Sequence, residues 1–142
     1  MRTPASHWWI LALIFLLGAA LRFYHLGDWS LSNDELSGLA RTHYDSLEDV
    51  IQHGVRTEGH PAGYHLFAYA WTGLADTSNA AYRFPFALIG TLSIGLFYLL
   101  GARWFGRSVG LMAAAAFATL AFPILYSQLA RPYSLALAAS LA

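Results

Sequence analysis

The sequence predicts an all-α, polytopic integral membrane protein with three full transmembrane helices, the start of a fourth, and short interfacial helices in a large first extracytoplasmic loop. Three observations lead to this prediction. The 142 residues are 57% hydrophobic and only 11% charged, whereas soluble domains carry about 25% charged residues. All eight acidic residues lie between positions 28 and 76. Outside that window, several apolar stretches approach the roughly 20 residues that a spanning helix requires.

The three complete spans are expected at residues 6–24, 84–102 and 109–126. Their only charged side chain is Arg22, near the end of the first span, where it is expected to reach the lipid headgroups. A fourth apolar run begins at Pro132 and meets the last residue after 11 positions, which is about half of a span. We therefore expect residues 1–142 to be the N-terminal part of one transmembrane domain, and the chain to be a fragment.

Arginine placement predicts the orientation, because the cytoplasmic flanks of spans are enriched in Arg and Lys. Arg103 and Arg107 lie in the short connection between the second and third spans, and Arg2 precedes the first. These segments are expected in the cytoplasm of a multi-pass protein of the plasma (inner) membrane, with loop 25–83 outside. A signal peptide cleaved after Ala20 is an alternative for the first span, and it also leaves the loop outside.

The extracytoplasmic loop begins with a helix signal. Ser32 and Glu35 fit the capping box, in which the hydroxyl accepts from the amide three residues on and the carboxylate reaches back. A helix is therefore expected from near Asn33 to past Arg41.

Two further helices are expected in this loop. Ser46 followed by Asp49 is a weaker cap, and Gly54 offers a C-terminal stop. Residues 61–75 start with proline and continue with apolar residues, Tyr, Trp and His, which is typical of an interfacial helix at the headgroups. Fifteen residues are too few to span a membrane comfortably.

Composition also excludes several classes of function. All eight basic residues are Arg and they balance eight acids, so the chain lacks the basic field that nucleic acid binding requires. Nucleic acid is not an expected partner. The absence of Cys excludes disulfide scaffolds, thiol catalysis and Cys-ligated zinc. The second and third expected spans contain no ionisable side chain that would indicate an ion or proton pathway.

Six segments of the chain form a recognisable series. They are LRFYHLG after the first span, SNDE at 32–35, GHPAGYHL at 59–66, YRFPFALIG at 82–90, LLGARWFGRSVGLMAA at 99–114 and YSQLARPYSLAL at 126–137. In order and spacing these segments resemble the N-terminal portion of GT-C membrane glycosyltransferases, in particular bacterial relatives of protein O-mannosyltransferases, aminoarabinose transferases and lipopolysaccharide galacturonosyltransferases. The resemblance implies an enzyme that takes a sugar from a polyprenyl-phosphate carrier and transfers it, outside the membrane, to a lipid, polysaccharide or protein acceptor.

Asp34 and Glu35 are the candidate catalytic residues. A base must take the proton of the acceptor hydroxyl, and a carboxylate is the natural candidate. Adjacent side chains on a helix point about 100° apart, so the two cannot face one substrate atom. The capping box assigns Glu35 to the helix start, and the Asp-Glu motif of the family likewise implies that Asp34 is the catalytic acid. Alternatively, both residues only favour the positive N-terminus of the helix.

The phosphate of the donor lipid requires a cation, and a chain without Lys must use Arg. Arg131 is the best candidate because guanidinium binds phosphate bidentately and its turn should lie near the first loop; the alternative is an interfacial anchor. Arg83, at the start of a span, is expected to be an anchor. Gln128 can bond a sugar or phosphate. Tyr133 and Tyr126 either line the same pocket or belong to the interfacial aromatic belt.

His60 lies in a segment that often reads His-Pro-Pro in the family, where the His lies beside the active site; here Ala62 replaces the second Pro. Carboxylate and imidazole suit divalent metals, so Asp34 and His60 are candidate metal ligands, with a metal-free surface histidine as the alternative.

Leu129 departs from the family, because many relatives have at this position an acid that helps to form the site. The competing hypothesis for the whole chain is a non-catalytic membrane module or accessory subunit, whose acidic loop binds a partner or ligand.

Overall fold

The computed structural model describes residues 5–57 and 59–142, with side chains from residue 7 onward. The described chain is 76% helical and contains no strand, so the all-α prediction is confirmed. The elements are, in order, α1 (Ala5–Phe23), α2 (Asn33–Ala40), α3 (Leu47–Asp49), a π-helical segment (Val50–Val55), α4 (Ala62–Thr72), α5 (Asn79–Phe105), α6 (Arg107–Thr119), α7 (Ala121–Gln128) and α8 (Tyr133–Leu141).

One helix of the described residues, α5, is long and apolar enough to cross a membrane alone. It has 27 residues and begins at Asn79, so it includes Arg83, which the sequence placed just before the span. Helices α6 and α7 meet the same criterion only as a pair, and they are bent by 58°. The apolar stretch His7–Phe23 of α1 is shorter. The structure therefore contains one candidate span, or two if the bent pair counts as one.

The expectation of one continuous helix over residues 109–126 is wrong. Leu120 has φ −65° and ψ 136°, an extended conformation that ends α6 before α7 begins. Pro123 explains why the helix does not run through, because its nitrogen has no hydrogen to donate to the carbonyl of Thr119 and its ring crowds that carbonyl.

The loop helices follow the predicted punctuation closely. Ser32 and Glu35 form both halves of the capping box at the start of α2. Helix α2 ends at Ala40, slightly short of the predicted end past Arg41. Gly54 is not a stop, because the π-helical segment continues to Val55.

Buried side chains form two clusters along α5. The cluster near its N-terminal half comprises Tyr64, Ala68, Tyr82, Phe86 and Ala130. The second cluster comprises Ile94, Tyr98, Ala114, Phe117 and Ala118. Two glycines allow the close junction of α5 with α6. Gly106, between the two helices, has φ 93°, a conformation that favours glycine. A Cβ on Gly110 would lie only 2.7 Å from the Tyr98 carbonyl oxygen.

The surface combines exposed apolar and exposed charged side chains. Large apolar side chains of α1 point outward, with Trp9 74%, Leu13 66% and Leu16 66% exposed. Most charged side chains of the described residues are also exposed, but four are buried, namely Arg22, Glu35, Arg83 and Arg131. Arg22 is 0% exposed, so the prediction that it reaches the headgroups is wrong; backbone carbonyls of α6 accept its hydrogen bonds.

Candidate functional site

The turn between α7 and α8 carries the centre of the candidate site. Arg131 in this turn donates from Nη1 to the backbone oxygen of Asp34 at 2.9 Å, and its Nη2 contacts Nε2 of His60. Three of the residues singled out from the sequence therefore meet, although they lie in α2, in the segment before α4 and in the turn between α7 and α8. The expectation that this turn lies near the first loop is confirmed.

Two backbone hydrogen bonds hold the turn in place. Ala130 donates its backbone N–H to Glu35 Oε1 at 2.9 Å, and its carbonyl accepts from the Tyr64 hydroxyl at 2.9 Å. Both partners are buried. The residue before Arg131 is thereby fixed to α2 on one side and to α4 on the other.

Arg131 is an incompletely neutralised cation. Its side chain is only 6% exposed and its Cζ lies 5.8 Å from the Tyr64 ring centroid. Its buried Nε has no hydrogen-bond partner among the described residues, and none of their carboxylates forms an ion pair with it. Since guanidinium only donates, Nε2 of His60 is the acceptor in this contact.

Asp34 and Glu35 point in different directions, as the helical geometry predicted. Asp34 is exposed, and of its oxygens only the backbone carbonyl accepts a hydrogen bond from the described residues. Its carboxylate is therefore available to a substrate outside the protein.

Glu35 is buried and its oxygens are fully used. Arg83 donates to Oε1 from Nε and to Oε2 from Nη2, both at 2.8 Å, and Ser32 donates to Oε2 from its backbone and its hydroxyl. Burial alone would raise the pKa of the Glu35 carboxyl, but the hydrogen bonds from Arg83, Ala130 and Ser32 together lower the pKa below its ordinary value. These contacts favour a positioning role for Glu35 over the predicted role in catalysis.

Arg83 is not the headgroup anchor that its sequence position suggested. Besides Glu35, its guanidinium bonds the carbonyl oxygens of the segment before α2, at Leu26, Trp29 and Ser30. Arg83 therefore joins α5 to α2 and to the segment that connects α1 with α2. The sequence carries no local signal for this pairing, because Glu35 and Arg83 are 48 residues apart.

Gln128 and Tyr133 lie in the same region without converging on Arg131. The Gln128 amide nitrogen donates to backbone oxygens at the end of α1, at Leu21, Arg22 and Tyr24. The remaining amide oxygen can accept from a sugar hydroxyl, but it cannot bond a phosphate anion, which is itself an acceptor. Tyr133 is 41% exposed, and its ring centroid lies 4.5 Å from that of Tyr126.

An apolar cavity of about 850 Å³ opens between α5, α6, α7 and α8. Tyr126 and Tyr133 both line it, as one of the two alternatives predicted. Most of its other walls are apolar, including Phe97, Phe117 and Leu137. Tyr133 and Ser134 of its rim follow Arg131 in the chain by two and three residues. A long apolar chain fits these walls better than a sugar does.

The two residues predicted as metal ligands, Asp34 and His60, have different surroundings, since Asp34 is exposed and His60 contacts Arg131. The Nε2 atom of His60 faces the Arg131 guanidinium, which would repel a cation placed between them. Among the described residues, no group of three or more His, Cys, Asp or Glu side chains could hold a metal ion.

Comparison of the chain with known protein families, with curated protein sequences and with solved structures finds no match.

Proposed function

We propose that the chain is a polytopic inner-membrane protein and that it acts as a GT-C-type glycosyltransferase, as its sequence resemblance implies. The single observation that carries the proposal is the meeting of Asp34, His60 and Arg131 around a buried guanidinium without a carboxylate partner. An exposed carboxylate beside such a cation is the pair that sugar transfer from a lipid phosphate requires.

The membrane assignment is supported by the exposed apolar side chains of α1. Fully burying one Leu or Phe side chain is worth about 1.5–3 kcal/mol, so a water-exposed row of such residues on α1 would be costly. Lipid removes that cost. Tryptophans mark one end of the bundle, since exposed Trp8 and Trp9 begin α1 and exposed Trp104 ends α5. Interfacial Trp at the ends of spans is typical of membrane proteins. In this topology α1 crosses outward, α5 returns to the cytoplasmic side, and the bent pair α6–α7 crosses outward again.

In the proposed reaction, Asp34 is the general base. The acceptor hydroxyl loses its proton to the Asp34 carboxylate while its oxygen bonds to the anomeric carbon of the sugar. The bond from that carbon to the phosphate oxygen breaks, and its electron pair leaves with the polyprenyl phosphate. One bond forms, one breaks, and the proton ends on Asp34.

Arg131 is proposed to bind the lipid phosphate, with His60 holding one edge of the guanidinium. A preorganised buried cation stabilises the charge that develops on a leaving phosphate. The apolar cavity beside Tyr133 suits the isoprenoid part of the donor, because isoprenoid chains are hydrocarbon. No step of the proposed reaction requires a metal ion; metal dependence stays a prediction.

The second candidate function is a membrane module that binds a lipid phosphate without transferring sugar. Leu129 favours it, because relatives often have an acid at this position. Both functions need Arg131, and only the transferase needs the Asp34 carboxylate.

The decisive experiment is transfer of a radiolabelled sugar from polyprenyl phosphate in membranes that contain the protein. Asp34→Asn keeps the shape of the side chain and removes the base, so transfer should fall about 10²–10⁴-fold. Asp45→Asn, at another exposed acid of the same loop, is the matched control and should retain full activity. Full activity of Asp34→Asn would contradict the role of Asp34, while retained lipid-phosphate binding without transfer in the unaltered protein would support the module.

The topology is tested by cysteine labelling, which the chain allows because it has no Cys of its own. Asp45→Cys should react with a membrane-impermeant thiol reagent from outside, and Ser108→Cys should not. The opposite pattern would invert the proposed orientation.

A further inference from the structure

The break between α6 and α7 leaves backbone groups that need partners. In a continuous helix the carbonyls of Phe117 and Ala118 would accept from residues 121 and 122. The extended backbone at Leu120 and the 58° bend separate them from those donors. The helix ladder resumes only where Ile124 donates to the Leu120 carbonyl. Unsatisfied carbonyls are costly inside a membrane, where no water replaces the missing donors.

Arg22 supplies the missing donors from α1. Its Nη2 donates to the Phe117 carbonyl at 2.9 Å, and its Nη1 donates to the Ala118 carbonyl at 3.1 Å. Its Nε donates to the Ser127 hydroxyl of α7 at 3.2 Å, and Nη1 also bonds the Gly18 carbonyl of its own helix. One guanidinium therefore bonds both halves of the bent pair and fixes them to α1.

A second contact repeats this connection one residue further along α7. The Gln128 amide donates to the carbonyls at the end of α1, including that of Arg22. Helix α7 is thus held to α1 through Ser127 and Gln128, immediately before the turn that carries Arg131. The direction of α7 determines where that turn meets α2.

We propose that Arg22 is a positioning residue of the transfer site. It stabilises the bend between α6 and α7 and so places the 129–132 turn next to Asp34 and His60. The catalytic part of this inference rests on the proposed function; the structural part does not.

Pro85 and Trp71 provide a comparison within the chain. Pro85 lies inside α5 and leaves the Ala81 carbonyl without its helical donor. The Trp71 indole nitrogen donates to that carbonyl at 2.9 Å, yet α5 continues without a break. Capping a carbonyl freed by proline therefore does not by itself bend a helix, whereas Arg22 bonds both sides of a break.

The structural test measures the distance between spin labels at Leu13→Cys and Leu125→Cys, two exposed positions on α1 and α7. The key variant combines two substitutions. Arg22→Met removes the hydrogen bonds of Arg22 to α6 and α7, and Pro123→Ala restores the N–H that a straight helix needs. Helix α7 has 8 residues, about 12 Å at 1.5 Å per residue, so removing the bend would swing its far end by about 12 Å. We expect the double variant to fold and its distance to shift by several ångströms.

Pro123→Ala alone is the matched control and should keep the original distance, because Arg22 remains. Arg22→Lys retains the charge but not the forked donors, and it should broaden or shift the distance distribution. An unchanged distance in the double variant would overturn the inference, whether or not the protein transfers sugar.

The activity test separates positioning from mere stability. The double variant Arg22→Met with Pro123→Ala is compared with the unaltered protein at equal amounts of folded protein in membranes. It should transfer sugar at least about tenfold more slowly, with a larger change in kcat than in KM for the acceptor. Full transfer by a double variant with a shifted distance would show that the bend is not needed for the site. If the unaltered protein transfers no sugar, the proposed function fails, and the distance measurement alone decides whether Arg22 holds the bend between α6 and α7.

Discussion

Two buried arginines lie close to the same turn and differ in how their charge is compensated. Arg83 forms a bidentate ion pair with Glu35 and bonds three further carbonyls. Arg131 bonds one carbonyl and one imidazole, has no carboxylate partner among the described residues, and leaves its buried Nε without a partner. The first arrangement is complete without a ligand. The second has capacity for an anion, which is why function is assigned to Arg131 and structure to Arg83.

This difference also separates the two acids of the Asp-Glu pair. Glu35 faces inward and joins α2, α5 and the 129–132 turn, while Asp34 faces outward and offers its carboxylate. One acid therefore builds the site and the other is free to react. Each prediction below tests one side of this comparison.

The largest effect is expected from Arg83→Met, which leaves the Glu35 carboxylate buried without its cation. Breaking a buried pair by removing one partner costs about 3–5 kcal/mol, so the free energy of unfolding in detergent should fall by that amount. The double variant Glu35→Gln with Arg83→Met removes both charges and should recover part of the loss. Equal stability of Arg83→Met and the unaltered protein would contradict the structural role of the pair.

Arg131→Met should give the opposite pattern. Removing a buried cation that has no ion-pair partner loses two polar contacts but relieves the cost of burying the charge, so stability should fall by less than the roughly 3–5 kcal/mol expected of Arg83→Met, while transfer should fall about 10²–10³-fold. Arg56→Met is a matched control, because Arg56 is an exposed arginine of loop 25–83 that bonds the Gln52 side chain. A variant at Arg131 that unfolds the protein but retains specific activity would reverse the comparison.

Acid should act on the Glu35 side of the comparison. The pKa of Glu35 is lowered in the folded protein from an ordinary value of 4.5, so this group stabilises the fold above that pH. The stabilisation is lost as the pH falls through the lowered pKa, where the carboxyl takes up its proton. Unfolding midpoints followed from about pH 6 to about pH 3 should drop for the unaltered protein. Glu35→Gln should show a shallower drop, and identical slopes would exclude Glu35 as its cause.

The smallest effect is expected at the tyrosines around the turn. Tyr64→Phe removes the hydrogen bond to the Ala130 carbonyl and should cost about 1 kcal/mol of stability. Tyr133→Phe keeps the ring contact with Tyr126 and should stay within about 0.5 kcal/mol. Thermal unfolding of both variants in the same detergent compares them directly. A larger loss at Tyr133 would show that its hydroxyl has a partner in the folded protein.

Some local signals in the sequence predict the structure, whereas the long-range partners cannot be predicted from it. The capping box of Ser32 and Glu35 involves residues three positions apart, so the start of α2 was predictable. The break before Pro123 also has a local cause, yet the apolar composition of residues 109–126 alone predicts a single span there.

The buried arginines show why the rest could not be predicted. Arg22 bonds Phe117, which is 95 residues away in the chain, and no spacing rule connects such positions. An arginine near a helix end more often reaches the headgroups, so the general rule predicted the wrong environment for Arg22 and Arg83. For Arg131, the approach of its turn to the first loop followed from the topology alone, and its contacts with Asp34 and His60 agree with that reasoning.

The central claim is that Arg131 is a cation held ready for a lipid phosphate. The most direct measurement is the affinity of the purified protein in lipid nanodiscs for a polyprenyl phosphate, compared with the uncharged polyprenol of the same length. The account predicts that the phosphate binds more tightly, that Arg131→Met removes the difference, and that Arg56→Met preserves it. Equal affinity for the two lipids, or a difference that survives Arg131→Met, would contradict the account.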